Sequence, residues 1–242
     1  MSATFDISHL ASIDCPPDLR ELPAWLIWRF EPHDNPGGKP RKVPYYTAGG
    51  KRLGEHGAPE DKRQLTNFDA ARAAAARIGF DGVGFATLAQ FNIVALDFDN
   101  CVTDGKILPE VVELLGTSYA ELSPSGNGVR LFYKGQLGNR KSNKGWPYGM
   151  ETFSTKGFVT FTGNVLPLCE FIGNAHTVAE VDEPVMNLFN KRFVREIERQ
   201  QSIVGGQDRV GLSESELQRA LDALPTDLDY DQWLMVGMAI HH

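Results

Sequence analysis

Apolar residues in this chain come in short runs of strand length, broken by turns rich in Gly, Pro, Asn and Asp. AWLIWRF at 24–30 predicts a buried strand and RKVPYY at 41–46 a second one, and the Gly/Pro segment between them predicts a hairpin. TNFDAARAAAARIG at 66–79 predicts a helix, with Thr66 or Asn67 as N-cap, an Ala-rich body and Gly79 as the stop. Further strands are predicted at 82–87, 91–99, 119–122, 129–134, 150–153 and 158–163, with a short helix at 109–116. Many strands follow one another directly, without helical crossovers, so the expected class is α+β with mixed or antiparallel sheets and flanking helices.

Towards the C-terminus the period changes. PVMNLFNKRFVREIERQQ at 184–201 puts Val185, Leu188, Phe189, Phe193 and Ile197 on one helical face and charges on the other. This helix closes a first domain expected at 1–201. Residues 202–212 read as a linker. Ser213 and Glu216 then form a capping box before Leu217, Leu221 and Leu224, so 213–242 reads as the start of a helical domain, cut off inside an apolar pattern.

With 42% hydrophobic residues in 242, a sizeable core is expected. No apolar run approaches the ~20 residues that span a bilayer, and no secretory signal opens the chain, so the expected location is the cytoplasm of a bacterial or phage-infected cell, away from membranes. Cys15, Cys101 and Cys169 are too few and too scattered for a disulfide framework or a four-cysteine zinc site. Net charge is −7, which disfavours a nucleic-acid partner until its distribution is considered. Residues 176–242 hold 12 of the 31 acidic and 6 of the 24 basic residues, leaving the rest almost neutral. Within that rest, Lys39, Arg41, Lys42, Lys51 and Arg52 cluster at 37–52 beside Tyr45 and Tyr46, and Lys134, Arg140, Lys141 and Lys144 cluster at 134–145. Each cluster suits either a solvated loop or a contact with a polynucleotide backbone.

The chemistry concentrates in VALDFDNCVTDG at 94–105, where Asp97 and Asp99 end an apolar strand. Alternation points both the same way, roughly 6–7 Å apart, which suits a divalent metal. One candidate is a haloacid-dehalogenase-type phosphatase, whose opening motif LDFDNCVTDG resembles, with Asp97 as nucleophile and Asp99 as general acid and base. That likeness covers about a dozen residues, follows 96 others, and finds only Asp182–Glu183 as a later acidic pair. The other candidate uses SPSGNGVRLFYKG at 123–135 and METFSTKGFVTFTGN at 150–164 as well. There Ser125, Gly126 and Gly128 allow close approach to a phosphate, Arg130 adds a bidentate cation, and Glu151 a third carboxylate.

The ordered set hhhDxD, S-x-S-G-x-G-x-R before a strand, and a Glu-opened strand running into F-x-T-x-T-G resembles the archaeo-eukaryotic primase superfamily, in particular the primase-polymerases of phages, plasmids and other mobile elements. W-L-I-W-R…K-x-R-K-V-P-Y upstream and ALPTDLDYDQWLMVGMAI at 223–240 extend the likeness. The resemblance implies a catalytic domain with an RRM-like half and template-directed nucleotidyl transfer. Asp97, Asp99 and Glu151 would hold two Mg²⁺ or Mn²⁺ ions that activate a 3′-hydroxyl for attack on the α-phosphate. Ser123, Ser125, Gly126, Asn127 and Gly128 would line the triphosphate. Arg130 stands where many members carry a nucleotide-contacting His, and Lys156 would be a second phosphate or template contact. Lys39, Arg41, Lys42, Arg140, Lys141 and Lys144 would hold the backbone of a single-stranded DNA template or primer, with NTP or dNTP as substrate. A helicase often follows in look-alike proteins.

A third reading is an inactive replication initiator that binds DNA. Trp25 and Trp28 are expected in the core, Trp146 as a loop anchor or base-stacking platform, and His33, His56 and His176 at spacings that suggest no metal site. If 134–145 holds DNA, Lys141→Ala combined with Lys144→Ala weakens single-stranded DNA binding at low salt, as fluorescence anisotropy would report, and flattens its salt dependence.

Overall fold

Short strands whose side chains alternate between two cores account for the architecture. The structure is a computed structural model that describes residues 13–35, 37–142, 146–166, 174–194 and Gln218, all but the last within a unit spanning residues 1–195. The first half contains α1 (Pro17–Arg20), β1 (Trp25–Glu31), β2 (Arg41–Tyr45), α2 (Pro59–Gln64), α3 (Phe68–Ile78), β3 (Gly82–Phe85) and β4 (Ile93–Asp99). A small hairpin, β5 (Val102–Thr103) and β6 (Lys106–Ile107), leads to α4 (Pro109–Val112). Then follow β7 (Ala120–Leu122), β8 (Val129–Lys134), β9 (Arg140–Ser142), β10 (Gly149–Phe153), β11 (Val159–Phe161) and α5 (Glu183–Phe189), which runs into a π-helical turn at Asn190–Val194.

Two main sheets result, one in the order β11-β3-β1-β2 and one in the order β7-β8-β4-β10-β9, and every pairing between their strands is antiparallel. The α+β expectation with antiparallel sheets therefore holds. Strand β4 is central in the second sheet and buried on both faces, which is why IVAL reads as a continuous apolar run. Its Ile93 and Ala95 join a core with Trp25, Ile27, Phe85 and Phe161, while Val94, Leu96 and Phe98 join another with Leu131, Met150, Val111 and Val185.

Trp25 anchors the first core. Its ring meets Phe68, Phe85 and Phe161 edge-on, with centroids 4.8, 5.3 and 5.0 Å away, and its indole N–H donates to the Leu19 carbonyl at 2.9 Å. Helix α3 packs on β1 and β3 through Phe68 and through Ala71 and Ala75, whose small side chains allow a close approach. Asn67 caps it by accepting from the Ala70 N–H at 2.9 Å, and Gly79 ends it at φ 75°, a conformation that costs glycine nothing. Thr66 is instead tied through its backbone to Trp25.

Several expectations are corrected. Residues 140–142 are not loop but an edge strand, because they complete the free side of β10 and their charges suit an exposed edge. In the basic segment 37–52 the strand expected at 41–46 is present, but Arg52 is not a solvated residue. Residues 41–45 are strand β2, and the Arg52 side chain is fully buried against Asp61. Helix 109–116 shrinks to Pro109–Val112, and the helix expected at 184–201 starts at Glu183 and becomes a π-turn at Asn190. Residues 195–201, the linker 202–212, the segment 213–242 except Gln218, Lys144 and Cys169 lie outside the described residues. Cys15 and Cys101 are buried free thiols, and burial pushes the Cys101 thiol up to about 11. Among the described residues no helix is long and apolar enough to cross a membrane.

Arg52 and Asp61 form the tightest buried ion pair. Arg52 Nε and Nη2 donate to the two carboxylate oxygens at 2.7 and 2.8 Å, the Tyr46 hydroxyl and Gly57 N–H donate to them at 2.9 and 2.7 Å, and Arg52 Nη1 reaches the Gly157 carbonyl at 2.6 Å. Burial alone would raise the Asp61 pKa, but Arg52, the Gly57 amide and Tyr46 outweigh it and bring it from 3.8 to about 2. A carboxyl lowered on folding stabilises the protein above its unfolded pKa and loses that contribution as pH falls through the folded one. A shift of this size corresponds to about 2 kcal/mol at neutral pH. Asp61→Asn is expected to be less stable than wild type by about that amount at pH 7 in urea unfolding, with the gap closing as pH falls from about 4 to 2.

Candidate active site

The alternation of β4 puts Asp97 and Asp99 on the face shared with Ile93 and Ala95, and leaves Leu96 and Phe98 to the opposite core. Register then assembles a row of charges across the second sheet. Asp97 stands opposite Arg130 of β8 on one side and Glu151 of β10 on the other. Arg130 in turn faces Glu121 of β7, and Glu151 faces Lys141 of β9. Five strands thus present Glu121, Arg130, Asp97, Glu151 and Lys141 side by side, with Asp99 two residues along from Asp97, opposite Gly149.

Arg130 is buried, its side chain 2% exposed; its two terminal nitrogens are committed, while Nε has no hydrogen-bond partner among the described residues. Nη2 donates to Asp97 Oδ1 at 2.9 Å, and Nη1 donates to Thr160 Oγ1 at 2.8 Å and to the Thr160 carbonyl. An incoming phosphate would have to displace one of these partners to reach it. Glu151 and Lys141 form an ion pair that raises the Lys141 pKa, chiefly through their hydrogen bond. The Asp97 and Glu151 side chains keep 19% and 18% of their surface exposed, and Asp99 is open to solvent. Lys42, exposed on edge strand β2, lies within the field of this group. Desolvation lowers its pKa, Arg130 adds to the lowering, and Asp97 and Asp99 oppose it.

The Ser/Gly segment is the turn between β7 and β8. Ser123 accepts the Gly126 N–H on its carbonyl at 2.9 Å and the Gly128 N–H on its hydroxyl at 3.1 Å, which closes the turn and occupies those two amides. Ser125 and Asn127 are left exposed at the tip. Gly128 is required by proximity, since a Cβ there would sit 2.6 Å from the Phe98 carbonyl, between the two aspartates on β4. Asn127 O accepts from the Val102 N–H at 3.1 Å, so this turn and the one after Asp99 lie side by side.

Lys156 is exposed on a tightly held loop. Its carbonyl accepts from Thr87 Oγ1 at 3.0 Å and Asn139 Nδ2 at 2.7 Å. Asn139 Oδ1 takes the Ser154 and Thr155 N–H groups at 3.1 and 3.0 Å, and His56 Nδ1 takes the Gly157 N–H at 3.1 Å. Among the other expected contacts, Lys39 and Arg140 are exposed and Arg41 pairs with Asp34 at 2.9 Å. Trp146 is covered by Arg192, whose guanidinium carbon lies 3.9 Å from its ring centroid and 4.0 Å from that of Tyr148, the geometry of an anchor. Asp182 is spent as the N-cap of α5, accepting from the Val185 N–H at 3.1 Å, which takes it away from the phosphatase alternative.

Three carboxylates on one face, with Asp97 directly opposite Glu151, are hard oxygen donors of the kind Mg²⁺ and Mn²⁺ take. The donor chemistry fits a divalent ion. Among the described residues, however, no group of three or more His, Cys, Asp and Glu side chains is already gathered at ligand spacing; Asp97 pairs with Arg130 and Glu151 with Lys141. Glu121 and Thr160 escaped the sequence reading. The available signal was the alternation of YAEL, which leaves a carboxylate on the same face of a buried strand as Tyr119.

No family model matches the chain. It is similar to the DNA primase-polymerase of Nitratiruptor phage NrS-1, with 26% identity over 153 residues, a match that covers 58% of this chain and 19% of that protein. The matched part is thus well under two thirds of the relative's length. The likeness supports a relationship to primase-polymerases.

The contact between Gly128 and Phe98 generates a direct expectation. Gly128→Ala forces a backbone shift at the aspartate end of β4, and should lower stability by roughly 1–3 kcal/mol in thermal or urea unfolding.

Proposed function

We propose that this chain carries the catalytic part of a DNA primase-polymerase, a template-directed nucleotidyltransferase acting on single-stranded DNA in the cytoplasm of a bacterial or phage-infected cell. One observation carries the reading: Asp97, Asp99 and Glu151 share one sheet face beside the Ser/Gly turn. The phage relative gives it independent support.

Asp97, Asp99 and Glu151 would hold Mg²⁺ or Mn²⁺, which when bound supplies the Lewis acidity that activates a 3′-hydroxyl and neutralises phosphate charge. Ser125 and Asn127, exposed at the tip of the turn, meet the triphosphate of the incoming NTP or dNTP, and Ser123, Gly126 and Gly128 give the turn its shape. Arg130 supplies positive charge behind Asp97. Lys156 adds a phosphate or template contact from its fixed loop. Lys39, Arg41, Lys42, Arg140, Lys141 and Lys144 hold the backbone of template or primer, so binding falls steeply with salt. A second reading, a DNA-binding module without activity, draws on the fact that Arg130 and Lys141 already pair with two of the carboxylates.

Incorporation of labelled ribo- and deoxynucleotides on a single-stranded DNA template separates the two. With and without primer, in Mg²⁺ and in Mn²⁺, wild type is expected to make product that Asp97→Ala/Asp99→Ala does not. DNA binding with no product under any condition would favour the inactive module.

A further inference from the structure

Glu121 is the one carboxylate of the charged row that solvent does not reach, its side chain 0% exposed. Every partner it has is a donor. The Tyr119 hydroxyl approaches at 2.9 Å, the Thr162 N–H lies 3.1 Å from each carboxylate oxygen, the Gly163 N–H is at 2.9 Å, and Arg130 Nη1 stands at 3.6 Å. Burial pushes its pKa up and outweighs Arg130, the two backbone amides and Tyr119, which pull it down. With four donor groups directed at it, the arrangement favours the ionised form. Burying such a charge is costly, and apolar replacements of buried ion pairs are often as stable or more so, so stability alone does not account for a glutamate here.

Its position in the row supplies another reason. Arg130 lies between two carboxylates, with Glu121 on its buried side and Asp97 on its open side, and Thr160 fixes Nη1 from the first sheet. Asp97 is bonded to Arg130 through Oδ1, and Oδ2 has no hydrogen bond among the described residues. We propose that Glu121 is a positioning residue for the cation site: by clamping Arg130 and sharing its charge, it fixes the orientation of Asp97 and leaves that carboxylate free to bind a divalent ion. Without Glu121 the whole charge of Arg130 falls on Asp97, and Thr160 alone is left to hold the guanidinium from its buried side. Both effects weaken cation binding at Asp97. This inference rests on the reading of Asp97, Asp99 and Glu151 as cation ligands.

The test is Mn²⁺ binding by the whole chain, followed by calorimetry and by the loss of the free-ion electron paramagnetic resonance signal, well below the unfolding midpoint. Glu121→Gln, with thermal unfolding recorded alongside, is expected to bind Mn²⁺ about 10-fold or more weakly, the usual effect of losing a residue that orients a metal ligand. Glu121→Asp keeps the charge but draws it back from Arg130. It is expected to bind several-fold more weakly, and it carries the test if the Gln variant does not unfold cooperatively. A structural role alone lowers the midpoint and leaves Mn²⁺ affinity unchanged, and that result overturns the inference while the cation site stands. Wild type that binds no Mn²⁺ in an Asp97- and Asp99-dependent way overturns both.

Discussion

One guanidinium joins the two sheets. Arg130 rises from β8 in the second sheet, donates to Thr160 in the first, and turns its remaining edge to Asp97. A cation nearly excluded from water is costly unless it is paired, and the carboxylate and threonine oxygens offset that cost at Nη1 and Nη2, while the buried Nε has no partner among the described residues. The same contact lets a carboxylate stand next to the apolar part of that face, where Ala95 and Phe132 lie on the two strands it bridges. Removing the guanidinium would leave Asp97 and Glu121 without their shared counter-charge, so the geometry of the row depends on it.

The row is asymmetric in its access to water. Side-chain exposure is 0% at Glu121, 2% at Arg130 and 19% at Asp97, and reaches 61% at Lys141. Electrostatic strength follows the opposite gradient, because charges in the interior are screened far less than those at the surface. The Glu121 and Arg130 end is therefore fixed, while the Lys141 and Glu151 pair, like most exposed ion pairs, is worth about 1 kcal/mol or less and can exchange partners. On the proposed reading, a doubly charged ion arriving at Glu151 would meet a weak competitor at Lys141 and a strongly held neighbour at Asp97.

Much of this was legible along the chain. The strands at 24–30, 91–99 and 129–134, the cap at Asn67 and the stop at Gly79 rest on local rules of alternation, capping and backbone freedom, and the structure follows them. The shared face of Asp97 and Asp99 is also local. What the sequence could not supply is register, because the partner of a residue across a sheet is set by contacts far away in the chain. Glu151 opposite Asp97, Glu121 behind Arg130 and Lys141 beside Glu151 are all of this kind. Arg52 shows the same limit. A basic residue in a basic run reads as surface, yet Asp61 on a short helix, Tyr46 and the carbonyl of distant Gly157 enclose it.

The loop that carries Lys156 has a thermodynamic consequence of its own. Asn139, Thr87, His56 and Arg52 hold its backbone through hydrogen bonds from four separate parts of the chain. A flexible loop that orders around an anion gives up about 1–2 kcal/mol of backbone entropy for each residue it fixes. Residues 154–157 have already given up that freedom on folding. An anion meeting Lys156 would therefore require the ordering of one side chain and the desolvation of the two charges, but no further ordering of the backbone.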